Sequence, residues 1–165
     1  MSARAKMLIG GGLGALWAAS VVWLGARVIE LPIFALTPML LVAFLGPGLV
    51  IALMVFWSAM RRFGTDTLRD GEAPAKGTYA DIDARVLRNT IEQVVLALCL
   101  WPSIGFLAAD DGPGLLAALS IAFPFARIAF WIGYRISPAL RLFGFSATFY
   151  ATIFALLWAV GIWLF

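Results

Sequence analysis

Residues 115–134 read LLAALSIAFPFARIAFWIGY, twenty consecutive positions with one charge, Arg127. A helix rises 1.5 Å per residue, so twenty apolar residues span the roughly 30 Å hydrocarbon core of a bilayer. Four further stretches share this character. Met7–Ala26 ends at Arg27 and Glu30. Leu31–Met60 is too long for one straight span, and its core is expected over Met39–Met60, kinked at Pro47 and preceded by an interfacial lead-in. Thr90–Ala109 closes on the turn sequence Asp110-Asp111-Gly112-Pro113-Gly114, and Phe145–Phe165 is the last. A polar segment from Arg61 to about Arg88 carries six basic and five acidic residues, and reads as a loop followed by the first turns of a helix. A second connector is expected over Arg135–Gly144.

Composition agrees. Of the 165 residues 63% are apolar and 13% charged, against about 45–50% and 25% in soluble domains. Mean hydropathy is +0.98. These values exclude a secreted globular domain or a disordered chain. The pI near 9.5 belongs with spans rather than with nucleic acid, because most basic residues flank apolar runs. With Arg4 and Lys6 in the cytoplasm, that side collects ten basic residues and the opposite side one, Arg27. The bias predicts five spans, N-terminus cytoplasmic and C-terminus periplasmic, and the Ala/Gly/Arg-rich composition suggests a bacterial inner membrane. Met7–Ala26 is read as a retained span. A cleaved signal peptide is the alternative, and it leaves the later spans in the same orientation.

The chain has no histidine and one cysteine, Cys99, inside an apolar run. No disulfide, CxxC pair, imidazole base or His-ligated haem is available, and neither a metal nor a haem is expected.

Ionisable groups at membrane depth are costly and are functional candidates by default. Arg85, Asn89 and Glu92 are spaced i, i+4, i+7 and share a helix face, with Arg85 and Arg88 both in reach of Glu92. Arg127, Tyr134 and Arg141 are spaced seven and seven, although Pro138 bends any helix joining them. Glu92 reads as the only acidic residue within reach of the membrane region on the cytoplasmic side, so a Glu92–Arg127 pair is the simplest structural account. Arg88 and Arg135 read as snorkelling anchors. Together these residues describe a cationic pocket near the cytoplasmic interface, suited to an anion with at least one carboxylate, whose apolar walls admit a lipophilic second substrate from the bilayer.

Arg85-x3-Asn89-x2-Glu92, followed by Arg127-x2-Phe130-x2-Gly133-Tyr134-x6-Arg141-x2-Gly144-Phe145, resembles the family of membrane-associated proteins in eicosanoid and glutathione metabolism (MAPEG), which includes the microsomal glutathione transferases. The resemblance runs from about Trp57 to Phe165. It implies an all-α membrane protein, a homotrimer of four-helix protomers with glutathione as co-substrate between neighbours. Residues 31–165 would form that four-helix domain, with a cytoplasmic loop at about 61–84, and residues 1–30 an additional N-terminal membrane segment. Arg85, Asn89, Glu92, Arg127 and Tyr134 match glutathione-binding positions, and Arg141 matches the arginine that stabilises the thiolate. Arg61 or Arg62 matches a further basic residue near the site. Two departures stand out: Gln93 and Phe130 occupy positions where many members have tyrosine. The expected activity is a glutathione transferase or peroxidase acting on a lipophilic small molecule, with detoxification as its role. The partners expected are membrane lipids and further copies of the chain, not nucleic acid. A non-catalytic lipid-binding or regulatory member of the same fold is the alternative. A small proton-coupled transporter using Glu92 is a third, disfavoured by the lack of an internal repeat.

Overall fold

The computed structural model describes residues 2–165, and every regular element among them is a helix. Its elements are α1 (Ala3–Arg27), a 3-10 turn (Ile33–Ala35), α2 (Leu36–Val42), α3 (Leu45–Phe63), a short α4 (Asp66–Arg69), α5 (Tyr79–Leu107), a second 3-10 turn (Ala109–Asp111), α6 (Gly112–Ile136) and α7 (Pro138–Leu164). Five membrane-length apolar segments result: α1, the unit Ile33–Phe63, α5, α6 with its preceding turn, and α7.

Three boundaries differ from the sequence reading. The second span breaks at Ala43–Phe44, between α2 and α3, and not at Pro47. Pro47 sits in the first turn of α3, where its missing N–H has no intrahelical partner to lose. The loop expected over 61–84 is shorter at both ends, because α3 continues to Phe63 and α5 begins at Tyr79. The Arg135–Gly144 connector reduces to Ser137. This residue alone is extended (φ −157°, ψ 131°), its hydroxyl accepts from Ala139 N–H, and Pro138 follows as the first residue of α7.

In lipid, apolar burial gives little net force between helices, so close backbone approach and hydrogen bonds must hold the bundle. Both are present. On α1, a Cβ at Gly10 would overlap the Ala139 carbonyl, one at Gly14 would lie 2.6 Å from Phe143 O, and one at Gly25 would lie 2.9 Å from Leu115 Cα. This glycine stripe seats α1 directly on the backbones of α7 and α6. At the centre Trp101 of α5 is buried, stacked 5.6 Å from Phe44 and edge-on to Phe123, and its indole N–H donates to Thr152 Oγ1 on α7 at 3.1 Å. Near the Ala109–Asp111 turn, the Trp158 indole donates to Asp111 Oδ2 at 2.9 Å and lies under Arg27 of α1. One apolar core thus joins α1, α5, α6 and α7, and a second, smaller cluster of Val50, Met54, Val86 and Phe130 packs α3 against α5 and α6. The candidate functional residues gather at the opposite end, where residues 64–78 link α3 to α5.

Candidate functional site: an arginine cluster at the loop end of the bundle

The first turn of α5 orients everything after it. Gly77 adopts φ +82°, which glycine takes without strain, and Thr78 caps the helix with its hydroxyl accepting from Asp81 N–H. Asp81 reciprocates by accepting from Gly77 N–H at 2.8 Å. The same carboxylate takes Arg85 through two N–H groups, at 2.7 and 3.2 Å. Arg85 therefore points back toward the helix start and is bound to Asp81, not to Glu92 as the spacing suggested.

Asn89 and Thr90 sit one turn further on and meet α6. Arg127 is completely buried, nine residues from the C-terminal end of α6 and so about 14 Å along the axis. Its Nε and Nη2 donate to Thr90 Oγ1 at 3.2 and 3.0 Å, and Nη2 also donates to Asn89 Oδ1 at 3.0 Å. The Thr90 hydroxyl spends its own proton on Val86 O, at 2.8 Å, which turns its lone pairs toward the guanidinium. Asn89 then donates from Nδ2 to Glu92 Oε2 at 3.0 Å. Glu92 and Arg127 are coupled through an amide instead of forming the direct pair expected. Glu92 itself is exposed on the outward face of α5, while Gln93 is turned into the bundle. Arg127 Nη1 is buried without a hydrogen-bond partner.

Phe130, Tyr134 and Arg141 continue the line. The Arg127 guanidinium carbon lies 4.0 Å from the centre of the Phe130 ring. Phe130 meets Tyr134 edge to face, with centroids 5.1 Å apart, and the Arg141 guanidinium lies 5.0 Å from the Tyr134 ring. Two glycines make this possible. A Cβ at Gly133 would run into the backbone of Arg141, and one at Gly144 would lie 2.6 Å from Phe130 Cα and Ala126 O. With hydrogen there instead, the start of α7 lies flat against α6 and carries Arg141 over Tyr134, although the two residues are on different helices. Arg127, Tyr134 and Arg141 are thus brought to one neighbourhood by a helix break and not by a continuous stripe.

A second charged cluster escaped the sequence reading. Asp83 is 5% exposed. Arg61 Nε lies 2.7 Å from its Oδ2, close enough for ion pairing though not aligned as a hydrogen bond. Arg135 pairs with Oδ1, and the Trp131 indole donates to the same oxygen at 2.7 Å. Arg135 is therefore an ion-pair partner and not a snorkelling anchor, and Glu92 is not the sole acid at this end. The cluster ties α3, α5 and α6 together and takes Arg61 out of the Arg127 group. Arg62 is exposed. The one available sequence signal was an acid on the inward face of the α5 amphipathic pattern, where Asp83 precedes Val86, Thr90 and Gln93. A cavity of about 670 Å³ lies beneath residues 64–78, lined by Arg61, Thr65, Leu68, Glu72, Thr78 and Tyr79 among others, and none of Asn89, Glu92, Arg127, Tyr134 or Arg141 reaches it.

Five long apolar helices, with most of the charged residues gathered at one end, define an integral, multi-pass membrane protein. A family model described as the MAPEG family matches residues 35–161, most of the chain, and the chain belongs to that family. The match begins after α1, at the end of the first 3-10 turn. No curated protein and no solved structure matches the chain.

Proposed function

We propose that the protein is a glutathione-dependent membrane transferase, with hydroperoxide reduction as a related activity, working as a homotrimer on lipophilic substrates. The observation that carries this reading is Arg127, a fully buried cation held by a hydroxyl and an amide, with no carboxylate in direct contact and one N–H group unpaired. A guanidinium kept at membrane depth on neutral partners is suited to an anionic ligand. Membership of a family that includes glutathione transferases supports glutathione as that ligand.

In this reading Arg85, Asn89, Glu92, Arg127 and Tyr134 bind glutathione. Its two carboxylates suit the arginines, and its ammonium suits Glu92. The exposure of Glu92 beside Ile91 and Val95, where the outer face of α5 turns apolar, supports a site completed by a neighbouring copy. The free thiol has a pKa of about 8.5 and is mostly protonated at neutral pH. Arg141 beside the sulfur favours the thiolate, and the released proton passes to water. In transfer to a chloronitroarene, sulfur forms a bond to the ring carbon and chloride leaves with the bonding electrons. In the peroxidase variant, two glutathiones are oxidised to the disulfide while the hydroperoxide is reduced to alcohol and water. The loop end, with most basic residues, would face the cytoplasm.

The test is the full chain, purified in detergent, with glutathione and a chloronitrobenzene. Conjugate formation above the uncatalysed rate supports the reading. Absence of both conjugation and glutathione binding overturns it.

A further inference from the structure

Arg127 and Arg141 are fixed in very different ways. Arg127 is anchored by three hydrogen bonds to Thr90 and Asn89. Arg141 takes part in none of the ion pairs or side-chain hydrogen bonds among the described residues; its guanidinium rests over the face of Tyr134. Tyr134 is half-buried, and its ring is held edge-on by Phe130. Phe130 is 4% exposed, with the Arg127 guanidinium on its ring face and the α7 backbone at Gly144 close against its own backbone. The order is cation, ring, ring, cation, with the anchored cation at the buried end and the unanchored one at the rim.

We infer that Phe130 is a positioning residue, which transmits the fixed placement of Arg127 through Tyr134 to Arg141 and so sets where the thiolate-stabilising charge sits. This rests on the glutathione reading above. The physical reasons are particular to the two ring positions. Cation–π attraction strengthens when the cation is desolvated, and Arg127 is fully buried. Edge-to-face packing restricts the tilt of Tyr134, which decides the position of any guanidinium resting on its face. Phenylalanine at 130 contributes a face and an edge without a hydroxyl that would seek a partner in a buried setting. Removing the ring leaves Arg127 on its hydrogen bonds but frees Tyr134, so the loss falls on Arg141. Charge stabilisation at sulfur should suffer while glutathione binding persists.

The experiment titrates the ultraviolet absorbance of thiolate for glutathione bound to the full chain in detergent, alongside glutathione affinity, in wild type, Phe130→Leu and Phe130→Tyr. Expected is a Phe130→Leu protein that binds glutathione within about threefold of wild type, yet whose bound thiol titrates higher, with roughly three- to tenfold less thiolate at a pH below both midpoints. Phe130→Tyr, which keeps the ring, should titrate within about twofold of wild type. An unshifted titration in Phe130→Leu, with wild type showing bound thiolate, overturns the inference and leaves the glutathione reading intact. Loss of glutathione binding in Phe130→Leu also overturns it, since the ring would then serve binding or folding. If wild type itself binds glutathione without forming thiolate, thiolate stabilisation fails, and this inference with it.

Discussion

The Thr90 hydroxyl is an unusual partner for Arg127, because it takes the place of the carboxylate a buried guanidinium is usually given. Thr90→Val keeps the shape and removes the oxygen. Arg127 Nε then loses its hydrogen bond, while Nη2 keeps Asn89 at 3.0 Å. One newly orphaned buried N–H costs about 1–3 kcal/mol, and more where the group is charged. Hydrogen bonds inside membranes often measure less than this, because the unfolded chain in lipid also finds partners, so the low end, about 1–2 kcal/mol, is the expected value. The assay is a double-mutant cycle on unfolding free energy in mixed micelles, with Thr90→Val, Arg127→Met and the pair. Thr90→Ser restores the oxygen and should lie within about 0.5 kcal/mol of wild type. With Arg127 replaced, Thr90→Val should cost almost nothing beyond its effect on the Val86 carbonyl. A valine variant as stable as the serine one, or a cost unchanged in the Arg127→Met background, would show that the hydroxyl does not hold the guanidinium.

Other consequences concern neighbouring features. Arg141→Ala should lower kcat by about tenfold or more while changing glutathione affinity less than threefold, because its interaction grows as charge develops on sulfur; steady-state kinetics with varied glutathione separates the two, and an effect on KM alone would contradict the role. Gly133→Ala puts a methyl into the Arg141 backbone, so it should push α7 off α6 and reduce conjugation at least as much as Arg141→Ala, whereas wild-type turnover would mean that this close approach does not matter. Asp83→Asn leaves Arg61 and Arg135 without their shared counter-charge; both are partly exposed, at 31% and 28%, so the expected loss is about 1–2 kcal/mol, read as a lower melting temperature in detergent.

The architecture was legible in the sequence because lipid imposes a coarse requirement, about twenty apolar residues per crossing, which five stretches meet. The motif residues were legible for a related reason: ionisable groups are too costly near a bilayer to occur idly. What the sequence hid was pairing. Arg85 stands seven residues before Glu92 but only four after Asp81, so Asp81 is the nearer helical partner, and the Gly77–Thr78 cap aims its carboxylate along the helix start. Arg127 has its partners 37 and 38 positions away and they are uncharged, so a search for a carboxylate pointed at Glu92. The Asp83 cluster joins residues from three helices, with no local signature beyond the acid itself. Arg135 and Arg141 suggested a connector because charges commonly mark loops, yet both lie in or beside helices whose single break is Ser137. Pro47 and Pro138 illustrate the same ambiguity. A proline reads alike as a kink or as part of a helix's first turn, and both of these stand in first turns.

The central claim is that a buried and a rim arginine are kept at this end of the bundle to hold a small acidic thiol. Isothermal titration calorimetry of the purified chain with reduced glutathione tests it most directly, run beside oxidised glutathione and an unrelated acidic peptide. Expected are saturable binding of reduced glutathione, weaker binding of the oxidised form, none of the peptide, and loss of the signal in Arg127→Met. No heat with glutathione, or equal heat from the acidic peptide, would contradict it.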